Sequence, residues 1–205
     1  MNNEVKKKRK VSLKGRGNDL SNTQKQLGIL NASIINKDSF SSRLKDINLY
    51  PLKRNKLEIL QINLGYMCNL VCEHCHVDAG PDRKEIMDRP SLERCLEIVD
   101  ASDVHTVDLT GGAPEMNPHF EWFITELSKR EVKPIVRSNL TILVSNKKYN
   151  HYPQLFKDCG VEVIASLPCY TAENTDKQRG DGTFSDSIKA LLLLNKVGYG
   201  MEGSG

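Results

Sequence analysis

A chain of 205 residues is long enough for one large domain or two small ones, and 39% apolar with 27% charged residues excludes fibrous and wholly disordered architectures. No run of about 18 apolar residues is present for a membrane span, and the basic N-terminus is not followed by the apolar stretch of a secretory signal. The six cysteines are therefore expected in the reducing cytoplasm, where clustered thiols read as metal ligands or catalytic groups rather than disulfides.

The net charge of +3 is an effect of the N-terminus. Residues 1–16 carry seven bases against the single acid Glu4, and without them 22 bases face 25 acids. The body is mildly acidic, so no nucleic-acid footprint is expected. Residues 1 to about 28 are polar and read as a basic, disordered arm. Its run Lys6-Lys-Lys-Arg-Lys10 reads as a solvated tail, with an import signal or an anionic-surface patch as the sharper alternative.

Phe40, Leu44, Ile47 and Leu49 suggest a short helix leading into the core. Strands and helices then alternate. A β-rich run covers 57–64, and a helix over 91–101 places Leu92, Cys95, Leu96 and Val99 on one face. A strand over 106–109 runs into Gly111-Gly112. A helix over 118–130 carries Phe120, Phe123, Ile124 and Leu127. A third strand covers 133–136, and a short helix over 152–158 is closed by Gly160 as its C′ residue. A fourth strand covers 161–167. A last helix over 184–197 has Ile188, Leu191, Leu192 and Asn195 in register. Four such alternations predict an α/β fold with a parallel sheet, whose chemistry lies in the loops beyond the C-terminal strand ends.

The first of these loops reads Gly65-Tyr-Met-Cys68-Asn-Leu-Val-Cys72-Glu-His-Cys75-His76. Three thiolates in a C-x3-C-x2-C arrangement can curl around one face of an iron–sulfur cubane and leave one iron without a protein ligand. A zinc site using His74 or His76 as fourth ligand remains the alternative. Cys95, on an apolar helix face, and Cys159, at a helix end, read as structural. Cys169, after Pro168 at the fourth strand's end, is a candidate catalytic thiol, because soft thiolates suit soft substrates; its bland alternative is a small buried hydrophobe. The stretch Arg179-Gly180-Asp181-Gly182 reads as a solvated, glycine-flexible loop beyond the fourth strand, with a loop that covers the site or holds substrate as the sharper alternative.

The Cys loop after the first strand and the Gly-Gly-x-Pro segment after the second resemble the radical S-adenosylmethionine (SAM) superfamily. The strings INLGYMCNLVCEHCHVDAGP, LTGGAPEMNP, RSNLT, SLPCY and DKQRGDG are similar to those of the arsenosugar-biosynthesis radical SAM proteins. The resemblance covers about residues 12–205. It implies a partial radical SAM-type (β/α) barrel with about four of six strand–helix units present. The implied domains are the arm over 1–28, a helical lead-in over 29–56 and a core over 57–205 that is incomplete at its C-terminal end. The implied cofactors are a [4Fe–4S] cluster on Cys68, Cys72 and Cys75 and SAM on the open iron. The implied reaction adds a 5′-deoxyadenosyl group to methylated trivalent arsenic. An electron donor such as a flavodoxin or ferredoxin and a small-molecule substrate follow as partners.

Carried over by position, His74 is expected near the adenine, and Gly111 and Gly112 are expected to let the backbone approach the SAM amino group. On that view Gly112→Val removes SAM but keeps the cluster. Ala113 stands where relatives carry Glu, so Glu115 is a displaced candidate whose alternative is a helix N-terminal charge. Ser138 and Asn139 are expected as polar contacts to SAM, or as turn residues. Arg137 is expected to pair with the SAM carboxylate or with an acid of the body. Ser166 is expected at the ribose.

Overall fold

The structure, a computed structural model, describes residues 11–32, 39–53 and 55–202. Four parallel strands form one sheet in sequential order: β1 (Ile59–Asn63), β2 (Thr106–Thr110), β3 (Lys133–Ser138) and β4 (Glu162–Ala165). The register aligns Gln61 with Asp108, Asp108 with Ile135, and Ile135 with Glu162. Strand alternation then separates two faces. Ile62, Val107, Leu109 and Val136 form a dry face against the helices, all 3% exposed or less. Gln61, Asn63, Asp108, Thr110 and Arg137 share the other, polar face.

The helices between the strands follow the expected pattern with small shifts at their ends. Helix α1 covers Thr23–Ala32 and α2 Phe40–Asp46. Helix α3 (Arg89–Asp100) is capped by Asp88, whose side chain accepts from the Ser91 N–H, with Pro90 in the first turn where its missing donor costs nothing. It buries Leu92, Leu96 and Val99. Helix α4 (Phe120–Ser128) buries Phe120, Phe123, Ile124 and Leu127. Helices α5 (Ile142–Ser145) and α6 (Tyr152–Asp158) follow β3, and Gly160 ends α6 in the left-handed conformation at φ 63°. Among the described residues no helix is long and apolar enough to cross a membrane.

Phe120 lies between Tyr152 and Phe156, with ring centroids at 5.5 and 6.1 Å, and is fully buried. Phe120→Ala should therefore cost about 3–5 kcal/mol of unfolding free energy, read from urea denaturation. A loss below about 1 kcal/mol would show that this aromatic cluster does not hold α4 to α6.

Three expectations change. Within the expected arm, a turn at 13–17 docks on the loop that follows the cysteines. The Ser12 N–H and hydroxyl bond Asp82 at 2.9 and 2.5 Å, and the Leu13 and Lys14 N–H groups bond Asp78 at 2.6 and 3.0 Å. The run Lys6–Lys10 lies outside the described residues. Residues 179–182 are not one flexible loop. Arg179 ends a helix, α7 (Ala172–Arg179), and both oxygens of Asp176 hold the turn by accepting from Gly182 and Phe184 N–H groups at 2.8 Å. Lastly, α8 (Thr183–Lys196) buries Thr183, Ser187, Ala190 and Leu194, while Ile188 and Leu192 are exposed. Of the expected stripe only Leu191 packs on the core, partly buried, and Asn195 is exposed with the other two, on a helix that lies against α5 and α7.

Candidate active site

Leu64 leaves β1 with its N–H on Thr110 O, and the chain then makes a long excursion that returns beside its own start. Bridges between Gly65 and Ile86 and between Met67 and Gly80 close its base. The buried Asn117 amide staples both ends by donating to Leu64 O at 3.0 Å and Met87 O at 2.9 Å. The cysteine loop is thus held from below before any ligand enters.

Within it, Cys68 is buried at 5% exposure, whereas His74 is exposed. The Cys68 sulfur accepts from the Leu70 N–H and from the Asn139 amide, both at 3.4 Å, and the Cys75 sulfur accepts from the Ala79 N–H at 3.3 Å. Burial pushes the Cys68 thiol up to about 11, with the neighbouring Cys72 and Cys75 adding to the rise and the two hydrogen bonds opposing it. Donors aimed at sulfur suit thiolates, which carry charge. These residues therefore fit an iron–sulfur group. Among the described residues, no three His, Cys, Asp or Glu side chains converge as ligands of a single metal ion. Cys95 and Cys159 lie elsewhere, and burial raises both thiols, as befits structural cysteines.

The second loop runs alongside the first. Gly112 N–H bonds Gly65 O and Ala113 N–H bonds Met67 O, each at 2.9 Å. A Cβ on Gly112 would stand 2.4 Å from Met67 O, and one on Gly111, at φ 141°, 2.6 Å from Gly65 O. Both glycines are required by the approach of the protein's own backbone, and the cysteine loop is the neighbour they admit.

Glu115 is neither a surface charge nor a helix-end residue. It lies in a tight turn, Pro114–Met116, at 1% exposure. Its Oε1 accepts from Ser138 Oγ at 2.6 Å, and its Oε2 has no hydrogen-bond partner among the described residues. Ser138 belongs to the dry face of β3, in line with Val136, and is fully buried. The pair therefore joins the second loop to the third from behind the rim. Burial pushes the Glu115 carboxyl up to about 7, against the Ser138 bond and its own backbone N–H. A carboxyl raised on folding stabilises the fold fully below its unfolded value and loses that contribution as pH rises through about 7. Glu115→Gln, always neutral, should remove a pH-dependent loss of roughly 3 kcal/mol between about pH 4.5 and 7. Parallel denaturation curves for the two proteins should converge at pH 4.5 and separate by pH 8, and equal slopes would refute a buried neutral acid.

Arg137 pairs with an acid of the body. It grips Asp108 through Nε and Nη2 at 2.9 and 2.8 Å, while Gln61 donates to the same carboxylate at 2.8 Å. The Arg137 guanidinium holds the Asp108 carboxyl below the usual range despite burial. Ser166, just past β4, extends the ladder by donating its N–H to Ser138 O at 3.0 Å, and the chain turns there with Leu167 N–H on Ala165 O at 3.1 Å. Asn139 is buried at 5% exposure against Cys68. Cys169 lies at the rim after β4, its thiol lowered chiefly by the Thr171 backbone N–H.

Sequence reasoning placed Arg179 in a flexible loop beyond the fourth strand and missed its helix and its burial. It is 9% exposed, its Nη1 donates to Ser166 O, and its Nε has no hydrogen-bond partner among the described residues. Helix α7 has no apolar residue beyond Ala172 to announce its burial. A bond from Glu73 N–H to Gln178 O at 2.8 Å ties α7 to the cysteine loop. Between them opens a cavity of about 480 Å³ bordered by Met67, Cys68, Asn69, Met116 and Arg179. A larger depression of about 770 Å³ lies at residues 55–57 and 100–103, before the strands begin. It holds none of the thiols or glycines, so the smaller cavity is the candidate site. It is at the C-terminal strand ends, where parallel sheets place ligands.

The family model described as the radical SAM superfamily matches residues 62–201. The mycofactocin maturase MftC of Mycobacterium ulcerans is 30% identical over 140 residues, which are 66% of this chain and 36% of that protein. A probable GTP 3′,8-cyclase of Pyrococcus horikoshii is 26% identical over 141 residues, covering 68% of this chain and 44% of that one. The chain thus spans less than half the length of these curated relatives. Streptococcus suis SuiB bound to S-adenosylmethionine shares the fold, with a TM-score of 0.60 at 16% identity over 91% of this chain and 43% of that chain. The chain belongs to the radical SAM superfamily, enzymes that bind a [4Fe–4S] cluster and S-adenosylmethionine.

Proposed function

We propose that Cys68, Cys72 and Cys75 hold the cluster, that the neighbouring cavity receives SAM, and that the substrate is a methylated trivalent arsenic compound which gains a 5′-deoxyadenosyl group. The observation that carries the cofactor reading is the set of N–H donors aimed at Cys68 and Cys75 beside that cavity. When bound, the cluster and SAM supply reductive cleavage of the sulfonium and a 5′-deoxyadenosyl radical. The chain's own part is to orient and to shield. The backbone-to-backbone contact of Gly112 with the cysteine loop fixes one wall, Arg179 presents a buried cation at another, and His74 stands at the outer edge for the adenine. Ser166 faces the ribose side.

The arsenic reading rests on the GGAPE and KQRGDG strings together with Cys169, a thiol of lowered pKa at the rim; a soft thiolate suits arsenic(III). The relatives named above carry other substrates in their names. A second reading, a peptide substrate, is favoured by the likeness to a maturase. We place the enzyme in the cytoplasm with a flavodoxin or ferredoxin as electron donor.

Anaerobic reconstitution with iron and sulfide, followed by iron counting and EPR with and without SAM, tests the cofactor reading. About four irons and a SAM-dependent change of the EPR signal are expected; a colourless protein with one zinc would overturn it. The reconstituted protein, given SAM and dimethylated arsenic(III), should yield an adenosylated arsenical. No such product, with turnover of a peptide instead, would favour the second reading.

A further inference from the structure

Asn139 sits at the end of β3, 71 positions from Cys68 in sequence, yet its amide is aimed at that sulfur. Nδ2 forks between Cys68 Sγ at 3.4 Å and Asn69 Oδ1 at 2.8 Å. Oδ1 accepts from Thr141 Oγ1 at 3.1 Å and from Ile142 N–H at 3.0 Å. Asn69 closes the ring by donating Nδ2 to Thr141 Oγ1 at 2.8 Å. Every hydrogen-bonding atom of the Asn139 amide is thus used, and Asn139, Thr141 and Cys68 are each 5% exposed or less. A turn residue would need only the bonds made by Oδ1. The Nδ2 fork serves the cysteine loop instead.

We propose that Asn139 is a positioning residue that sets the reduction potential of the cluster through Cys68. The proposal rests on Cys68 being a cluster ligand. Hydrogen bonds to ligand sulfurs are among the factors that set cluster potentials. Reduction adds an electron, so sulfur becomes more negative in the reduced form, and a donor stabilises that form more. The site is dry, which strengthens the effect. Cys68 also receives the Leu70 backbone N–H, a donor that no side-chain change removes; the Asn139 amide is the adjustable one. It also makes the loop after β3 part of the cluster's surroundings, so anything that shifts that loop changes the potential.

The test compares the anaerobically reconstituted chain with Asn139→Asp and Asn139→Ala. Asp keeps the Oδ1 bonds to Thr141 and Ile142 and loses the donor to sulfur and to Asn69 Oδ1; Ala removes the same donor without adding charge. Iron content, an EPR-monitored potentiometric titration and the thermal midpoint of the cluster-free proteins are read together. Both variants are expected to load a cluster whose potential is more negative than wild type, at a lowered thermal midpoint, because each also loses the buried bond to Asn69 Oδ1. A loaded variant with the wild-type potential overturns the proposal, whatever its thermal midpoint. Failure of both variants to load overturns it too, since a residue that only adjusts the potential leaves the ligands in place. A wild-type chain that takes up no cluster overturns the ligand reading itself, a separate result.

Discussion

Replacing any one of Cys68, Cys72 or Cys75 by Ala is expected to take the reconstituted protein from about four irons to none and leave it colourless. On the proposed ligand set each thiolate would hold one iron, and the described loop has no fourth cysteine to take over. The remaining free cysteines, Cys95, Cys159 and Cys169, belong to α3, to the end of α6 and to the turn after β4. The three variants should differ in their effect on the apo-protein. Cys68 is buried in contact with Asn139, so Cys68→Ala should also lower the thermal midpoint of the cluster-free chain. Cys72 and Cys75 are only partly buried, so their Ala variants should melt close to wild type. Retention of about four irons in any of the three would remove that cysteine from the ligand set.

The alternation of strands and helices was legible because each buried helix face carries its own signal. Leu92, Leu96 and Val99 on α3 and the Phe120–Leu127 stripe on α4 have helical spacing, and both bury as read. Helix α7 was not legible, because what it buries is Thr175 and the Arg179 side chain, and polar residues look solvated until a partner is seen. Helix α8 shows the opposite failure. Its largest residues suggested the inner face, yet Ser187 and Ala190 are buried and Ile188 and Leu192 are exposed, on a helix that lies against α5 and α7. Periodicity gives the element, and neighbours choose the face.

The site divides in the same way. Three cysteines at short spacing after a strand announce their chemistry without any fold. The Ser138–Glu115 pair and the ring through Asn69, Asn139 and Thr141 join segments 23 to 72 positions apart, and no local pattern encodes such a join. The resemblance offered Ser138 as a contact to SAM or as a turn residue; in the structure the pleat turns it to the helices and gives the polar face to Arg137.

The same loop packing sets the expectation for Gly112. Its Cβ path ends 2.4 Å from Met67 O and 3.0 Å from the Ala79 Cβ. Met67 adjoins Cys68, and Ala79 donates its N–H to Cys75, so the two nearest obstacles are attached to two of the thiols. A backbone oxygen cannot swing aside as a side chain can. Gly112→Ala should therefore separate the two loops, lower the thermal midpoint by an overpacking cost of about 1–3 kcal/mol, and reduce the iron taken up. Gly112→Val, which adds two methyl groups to the same clash, should lose the cluster and SAM binding together. Gly28→Ala provides the contrast, because a Cβ there meets nothing within 4 Å and Ala is the better helix former in α1. It should load as wild type does. Iron counting and SAM titration of the same preparations decide the matter. A Gly112→Val protein that keeps about four irons and loses only SAM would mean that the glycine clears space for the ligand, and that the cysteine loop yields to a Cβ more readily than its backbone contacts indicate.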